Sequence, residues 1–316
     1  MSVYTKVSTS ELRNYLRRYR VGVLREFVGI ADGIENSNYF VTTEDGRYVL
    51  TLFEHASVEG LRYCLSLMAY LAEHAVPCAH PIPDDAGDFL QTLNGKPAAL
   101  VERLDGVSVA NPRIEHCREI GISLGALHTS AQSYQGHREN ERGLTWHASI
   151  AGRVRDHLPL PEQRLLDTEL EFLRCFDFGR CSQGVIHADL FRDNALFEGS
   201  RLAGLIDFYY AYNGPLIYDL AVTVSDWCFS SDGLLDISRA QTLVNAYASK
   251  RTITDIEKSA WIPCLRTVGL RFWLSRLHDR QFRRHGELTH VKDPNPFRAI
   301  LESCRDRGDH LQSVWG

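Results

Sequence analysis

The sequence predicts an α+β, bilobal fold, with a small antiparallel-sheet N-lobe over residues 1–103 and a larger, mainly helical C-lobe over residues 104–316. The first third of the chain holds five short β-like runs around one long helical stretch. After residue 104 the pattern becomes helical, as expected beyond a hinge between lobes. A polar segment flanked by apolar runs lies near residue 190. A chain of 316 residues is long enough to bury a large core.

Dipeptides that favour tight turns lie between some of the predicted strands of the first lobe. Asp45-Gly46 and Asn94-Gly95 are dipeptides typical of two-residue hairpin turns. Between residues 58 and 72 apolar side chains recur at helical spacing, which predicts one helix packed on the sheet. We therefore expect strands over residues 25–30, 38–43, 47–53, 89–93 and 97–103.

In the second lobe, a helix over residues 117–129 is expected to pack closely against a neighbour. Its apolar side chains share one face, and Gly121 and Gly125 permit a close approach. His128, at the end of this helix, is more typical of a structural histidine than of a catalytic one.

Composition excludes several classes of protein. The net charge of -5 leaves no basic footprint for a nucleic-acid partner. No apolar run is long enough for a bilayer, and the first ten residues lack a signal-peptide core, so we expect a cytoplasmic protein without a membrane partner. The eight cysteines show no C-x-x-C spacing, which favours reduced, mostly buried thiols over a zinc site or a disulfide framework.

The most informative segment covers residues 185–207. It contains His187 and Asp189, then Asn194, and ends in Asp207 after a second apolar run. Protein kinases place the same residue types in H-R-D-L-x-x-x-N and D-F-G, where the first Asp accepts the hydroxyl proton and the Asn and second Asp hold magnesium. A polar turn at residues 198–201 predicts a hairpin that brings Asp207 back beside Asn194.

Phosphoryl transfer explains this spacing, because the transferred group carries spread negative charge and needs a positioned cation and an aligned nucleophile. Asp189 is thus a candidate base, and Asn194 and Asp207 are candidate magnesium ligands. Asp and Asn are common in turns, but Asp189, Asn194 and Asp207 in this order favour a phosphoryl-transfer site over a chance arrangement. His187 is better interpreted as a residue that orients the loop. The sequence lacks G-x-x-x-x-G-K-[ST], which excludes a P-loop.

On these motifs the chain resembles the aminoglycoside phosphotransferase and choline kinase superfamily, whose members have the protein-kinase fold. The residues 187–194, the segment ending at Asp207-Phe208 and residues 214–221 carry the resemblance. It implies a protein-kinase-like fold with a nucleotide-binding N-lobe and a catalytic and substrate-binding C-lobe. It also implies that Asp219 is a buried anchor for the backbone of the catalytic loop. A helix-capping role for Asp219 is compatible with this.

Within that superfamily the chain is most similar to the bacterial homoserine kinases. Residues 33–41, 48–54, the His187 loop and residues 270–276 carry this likeness. It implies ATP and Mg²⁺ as cofactors and phosphorylation of L-homoserine to O-phospho-L-homoserine, for threonine synthesis. A sister kinase for choline, ethanolamine, an aminoglycoside or methylthioribose is an alternative, as is a catalytically silent nucleotide-binding module. The oligomeric state stays open.

The expected nucleotide contacts come from a loop and a hinge. Residues 29–37 take the place of the glycine-rich loop of kinases but lack G-x-G-x-x-G. Asn36, Ser37 and Asn38 are expected to donate hydrogen bonds to phosphate oxygens, although a simple polar turn would have the same composition. Backbone groups of Glu102 and Leu104 are expected to face adenine.

One position departs from the kinase pattern. The third strand of kinases carries a Lys that holds the α- and β-phosphates, and here Thr51 occupies that position. The sequence leaves Arg47, His55 or a second magnesium as substitutes.

The acceptor site is expected on a helix around residues 270–277, where Trp273 belongs to an apolar stripe typical of a core. An amino-acid acceptor needs an arginine fork for its carboxylate. Arg271 is the first candidate and Arg276 the second. An ion pair of Arg276 with Asp279 or another acid is the alternative.

Overall fold

The five predicted strands of the first lobe form one antiparallel sheet. The computed structural model describes residues 4–30, 36–282 and 292–316. The strand order is β1-β2-β3-β5-β4, which agrees with the expected hairpins. The strands are β1 (Leu24–Gly29), β2 (Asn36–Thr43), β3 (Arg47–Phe53), β4 (Gln91–Leu93) and β5 (Lys96–Glu102).

One helix packs on each face of this sheet. Side chains of α1 (Thr9–Leu16) join the inward residues of β2 and β3 in a separate core. The predicted helix is α2 (Val58–Glu73), whose buried face belongs to the main core. The sequence analysis missed α1, which spans only eight residues. Its available signal was the capping box formed by Ser8 and Glu11.

The second lobe is mainly helical. Two small two-stranded antiparallel sheets carry the polar segment: β6 (Gln183–Ile186) with β9 (Tyr212–Pro215), and the hairpin of β7 (Ala195–Glu198) with β8 (Arg201–Leu205). The helix α6 is buried along nearly its whole length and forms the centre of this lobe. The helices are α3 (Ile114–Ser130), α4 (Leu144–Val154), α5 (Leu160–Arg174), α6 (Leu216–Trp227), α7 (Ile237–Ala248), α8 (Asp255–Ser259), α9 (Trp261–Gln281), α10 (Asn295–Asp306) and α11 (Gly308–Gln312).

The sheet ends where the predicted hinge begins. β5 stops at Glu102, and an irregular segment leads to α3. The domain boundary after residue 103 stays a prediction. Within the described ranges, no helix has the length and apolar character that crossing a bilayer requires. All eight cysteines are described as free thiols, and seven of them are buried.

The close approach of α3 to α7 depends on glycine. A Cβ at Gly121 would collide with the carbonyl oxygen of Leu243, and one at Gly125 would lie 3.0 Å from the carbonyl oxygen of Tyr247. Both neighbours are backbone atoms that cannot rotate away. The contact that these glycines permit keeps α3, and therefore His128, beside the centre of the lobe.

The substitution Gly121→Ala should destabilise the protein, because the added methyl group forces α3 away from α7. We expect the free energy of unfolding to fall by about 1–3 kcal/mol, as in other overpacked cores. The matched control is Gly152→Ala on α4, where a Cβ meets nothing within 4 Å. This control should raise the free energy by about 0.5–1 kcal/mol through helix propensity. Chemical denaturation measures both, and equal effects would contradict the packing argument.

Candidate active site

A buried carboxylate holds the catalytic loop, which we define as residues 187–194. Asp219 is fully buried on the first turn of α6, and its two oxygens accept the backbone N–H groups of His187 and Ala188, each at 2.7 Å. Ala188 has a φ of 64°, in the left-handed region that costs a non-glycine residue about 1–2 kcal/mol. The hydrogen bonds to Asp219 therefore hold a strained backbone directly before Asp189.

His128 supports Asp219 from α3. Its Nε2 lies 3.0 Å from an oxygen of Asp219, and its Nδ1 lies 2.8 Å from the hydroxyl of Tyr247. That hydroxyl also accepts a hydrogen bond from Arg251, which forms a buried ion pair with Glu257. Burial alone would raise the pKa of Asp219, but the hydrogen bonds from His128 and the loop hold that pKa below its usual value. Asp219 is therefore an ionised anchor.

His187 joins the loop to the strand that carries Asp207. Its ring is fully buried, with Nε2 3.0 Å from the carbonyl oxygen of Ile206 and Nδ1 accepting the N–H of Asp189 at 3.3 Å. The ring also packs on Phe208, with 4.6 Å between centroids. Burial lowers the pKa of His187. With both nitrogens engaged, His187 is a positioning residue, which fits the orienting interpretation better than proton transfer.

Asp189, Asn194 and Asp207 converge at one edge of the lobe. The side-chain nitrogen of Asn194 donates to the carbonyl oxygen of Asp189 at 2.8 Å and to its carboxylate at 3.1 Å. The N–H of Ile206 donates to the carbonyl oxygen of Asn194, so Asp207 follows directly beside it. Burial and the negative charge of Asp207 raise the pKa of Asp189 to about 8, and the cation of Arg271 opposes this rise.

This donor set fits a hard cation. Because the nitrogen of Asn194 is used by Asp189, its amide oxygen is available, and Asp207 adds a carboxylate in a left-handed backbone with φ 64°. Mg²⁺ commonly takes one or two protein oxygens together with substrate phosphates and water. Among the described residues, no three His, Cys, Asp or Glu side chains form a metal-binding group. The residues therefore suit a cation shared with a nucleotide rather than a cage.

The three predicted phosphate-binding residues lie on β2, and they face opposite sides of the sheet. Ser37 is fully buried, donates to Glu54 at 2.8 Å and accepts the N–H groups of Tyr4 and Thr5. It is thus committed to the N-lobe interior, and we do not include it among the nucleotide contacts. The half-buried residues Asn36 and Asn38 point to the other face. Of the predicted loop, residues 31–35 lie outside the described residues.

Thr51 lies on that same face. Its hydroxyl donates to the side-chain oxygen of Asn38 at 2.8 Å. The neighbouring Phe53 packs on Tyr209, two residues after Asp207, with 4.8 Å between centroids. The position of the kinase Lys is therefore occupied by an uncharged hydroxyl. Of the proposed substitutes, Arg47 is exposed and pairs with Asp105 at 2.7 Å, so it is not available for phosphate.

Backbone groups at the hinge, residues 102–104, are placed where a nucleobase could use them. The N–H of Glu102 donates to the carbonyl oxygen of His80, and the N–H of Arg103 donates to that of Arg47. Within the described chain, the N–H of Leu104 has no backbone partner. A carbonyl from Glu102 and an N–H from Leu104 would thus be available for adenine.

Two arginines and two aromatic rings form what we call the arginine–aromatic cluster: Arg142, Trp146, Tyr210 and Arg271. The guanidinium carbon of Arg142 lies 4.3 Å from the ring centroid of Tyr210, and that of Arg271 lies 5.5 Å from it. Both also face Trp146, at 5.5 and 5.8 Å. Arg271 is 5% exposed and forms no ion pair with a described residue. Burial and the nearby charge of Arg142 lower the pKa of Arg271.

The second arginine candidate lies elsewhere. Arg276 donates to the backbone carbonyl of Asp293 at 2.8 Å and stacks 4.5 Å from the ring centroid of Phe297. Among the described residues, Asp279 lies 3.6 Å from His278, and no acid forms the ion pair with Arg276 that was considered from the sequence. Trp273 is 1% exposed and belongs to the core, as the apolar stripe indicated.

Sequence reasoning missed Arg138. Its guanidinium donates to the carbonyl oxygens of Tyr209 and Ala211, at 2.8 and 3.2 Å, and to the sulfur of Cys64 on α2 at 3.3 Å. It therefore ties the sheet helix to the segment that follows Asp207. The available signal was the density of charges in residues 137–142, a stretch between helices that also contains Arg142.

Comparison with known proteins identifies the family. The model of the phosphotransferase enzyme family matches residues 26–252. The chain belongs to this family. Curated homoserine kinases are similar to this phosphotransferase over its whole length. The protein of Methylobacillus flagellatus is 47% identical, covering 100% of this chain and 99% of that protein. The protein of Burkholderia ambifaria is 41% identical, covering 99% and 98%. The resemblance inferred from the motifs is thereby confirmed.

Solved structures agree on the fold. An amicoumacin kinase in complex with AMP-PNP and Ca²⁺ superimposes with a TM-score of 0.70 at 16% identity, covering 97% of this chain and 93% of that one. A microcompartment-associated aminopropanol kinase gives 0.63 at 18% identity, covering 97% and 98%. At these identities the likeness concerns the fold alone. It confirms the predicted bilobal, protein-kinase-like α+β fold.

Replacement of the anchor, Asp219→Asn, should loosen the catalytic loop, because an amide nitrogen cannot accept one of the two loop N–H groups. We expect the free energy of unfolding to fall by about 1.5–3 kcal/mol and phosphotransferase turnover to fall by about tenfold or more. Denaturation and steady-state kinetics measure these. Glu171→Gln, at an exposed acid on α5, should change stability by less than about 0.5 kcal/mol. An Asp219→Asn protein with unchanged turnover would contradict the anchor role.

Proposed function

We propose that this phosphotransferase is an ATP-dependent homoserine kinase, which transfers the γ-phosphoryl group of ATP to the side-chain hydroxyl of L-homoserine. The product, O-phospho-L-homoserine, would serve threonine synthesis. The observation that carries the proposal is the buried cation of Arg271 in the arginine–aromatic cluster. It has no ion-pair partner among the described residues and lies close enough to Asp189 to influence the pKa of that carboxylate. The similarity to curated homoserine kinases over the full chain supports it.

The base of the reaction is Asp189. It orients the acceptor hydroxyl and accepts its proton as the oxygen attacks the γ-phosphorus. Asn194 holds the Asp189 carboxylate in place through its amide nitrogen. Asp219, acting through the backbone of His187 and Ala188, fixes the direction in which the carboxylate points.

Asn194 and Asp207 would hold Mg²⁺ with their side-chain oxygens. When bound, the cation neutralises the charge of the nucleotide phosphates. It would also cancel the charge of Asp207, one of the causes that raise the pKa of Asp189. Asn36 and Asn38 lie on the cleft side of β2 and are the proposed phosphate donors. Because Thr51 carries no charge, the nucleotide depends on the cation more than in a kinase with the strand Lys.

The acceptor's carboxylate would pair with Arg271. A guanidinium matches a carboxylate with two parallel hydrogen bonds, and burial makes such a pair strong. Arg142 adds a second positive charge on the same aromatic rings. An acceptor with a cationic group and no carboxylate, such as choline or an aminoglycoside, would place its charge beside these arginines. The cluster therefore favours the amino acid over the sister acceptors.

Two substitutions separate chemistry from metal binding. Asp189→Asn should keep ATP affinity within about threefold and lower kcat by about 10²–10⁴, the usual worth of a general base. Asp207→Ala should lower the Mg²⁺-dependent affinity for ATP by at least about tenfold, because one of the two metal ligands is lost. Calorimetric ATP titration and single-turnover kinetics measure these effects. Near-wild-type turnover in either variant would reject the assignment. A wild-type protein that binds ATP without any turnover would reject it as well.

The substitution Arg271→Lys tests the acceptor. Lys keeps the charge but loses the fork, so we expect KM for L-homoserine to rise by about 10–100-fold while KM for ATP stays within about threefold. A second comparison uses 3-amino-1-propanol, which is L-homoserine without its carboxylate. It should react poorly with the wild type and be little affected by Arg271→Lys. The control is Arg280→Lys, at an exposed position on the same helix. Equal use of both alcohols by the wild type would argue against homoserine.

A further inference from the structure

A cavity lies apart from the residues of the candidate active site. Its volume is about 870 Å³, and it opens between the start of α3, the end of α6, the start of α7, and α10. Asp189, Asn194, Asp207 and Arg271 are not among the residues that line it. Arg192 of the catalytic loop is. The cavity therefore borders the active-site loop without being part of the site described above.

The acidic side chains deepest in the cavity wall already have partners. Asp226 accepts the backbone N–H of Arg192 at 2.8 Å and its Nε at 2.9 Å. Asp236 caps α7 and accepts the backbone N–H and the Nε of Arg239, at 3.0 and 2.8 Å. The third acid of the wall, Glu115, lies 3.8 Å from the Nε of Arg113. Among the residues that line the cavity, each acid therefore already has an arginine neighbour.

Two donors in the same wall have unused capacity. Arg276 is half-buried, donates a hydrogen bond to the neutral backbone carbonyl of Asp293 and forms no ion pair within the described ranges. Burial lowers its pKa. Ser225 is 3% exposed, and among the described residues its hydroxyl finds no hydrogen-bond partner. A buried polar group without a hydrogen-bond partner destabilises the folded protein. Both groups need an acceptor, and an anion would satisfy them together.

The remaining wall is apolar. Phe229, Phe297 and Ile300 line the cavity, and Phe297 stacks on Phe191 of the catalytic loop, with 5.8 Å between centroids and 22° between planes. A bare inorganic anion would leave this surface wet, whereas an organic ligand would cover it. We propose that this cavity is a second binding site for a small organic carboxylate, with the carboxylate on Arg276 and Ser225 and the apolar part against Phe297.

A ligand held there would lie beside Arg192 of the catalytic loop. It binds the folded protein only, so it stabilises the fold by mass action. The probe is isobutyrate, a small carboxylate with an apolar end, compared with neutral isobutyramide at constant ionic strength. We expect isobutyrate to raise the Tm of the full chain in a saturable manner and isobutyramide to have no effect. Arg276→Met, which keeps the methylene packing, should abolish the shift, and Ser225→Ala should reduce it.

Two control variants locate the binding. Arg280→Met, at an exposed position on the same helix, should keep the full shift. Arg271→Met should also keep it, which excludes binding in the proposed acceptor pocket. The proposal is overturned if wild-type Tm does not rise, if isobutyramide acts equally, or if the shift survives in Arg276→Met and Ser225→Ala. Loss of the shift in Arg271→Met, or a larger Arg276-dependent shift with inorganic phosphate, overturns it as well.

Discussion

The geometry of the active site depends on one buried carboxylate. Asp219 accepts two consecutive backbone N–H groups, and without it the strained residue Ala188 would relax and Asp189 would turn away. A charge in the middle of a lobe is costly unless fully hydrogen-bonded. His128 on α3 supplies the remaining bond, and Tyr247 on α7 holds His128. The close packing of α3 on α7 is therefore a requirement of the site and not only of the core.

Strain and charge are concentrated at the candidate active site. Within the described chain, four non-glycine residues have positive φ, and two of them, Ala188 and Asp207, belong to this site. Such conformations persist only where surrounding contacts impose them. Burial and the nearby carboxylate of Asp207 also raise the pKa of Asp189 to about 8. The protein maintains this unfavourable pair, and the cation of Arg271 opposes the rise in pKa.

Local spacing made the core of the site predictable. Asp189, Asn194 and Asp207 lie on one loop and one hairpin, so their convergence follows from short-range structure. The fold class followed from hairpin signals and hydrophobic periodicity. The features that the sequence did not predict depended on strand register or on contacts between residues far apart in the chain. Whether Ser37 faces the cleft or the interior is decided by where β2 begins, because a shift by one residue exchanges the two faces. Partners such as His128 and Asp219, 91 positions apart, leave no local signature.

The contacts of Arg138 connect the helix of the small lobe to the segment after Asp207 through main-chain oxygens and one sulfur. Every amino acid carries a carbonyl, so replacement of the side chains at positions 209 and 211 would leave this connection intact. The side chain of Tyr210, in the arginine–aromatic cluster, can thus diverge while the alignment of the proposed metal ligands and the sheet is preserved. A scaffold of this kind can exchange one alcohol for another during evolution without rebuilding its phosphate chemistry.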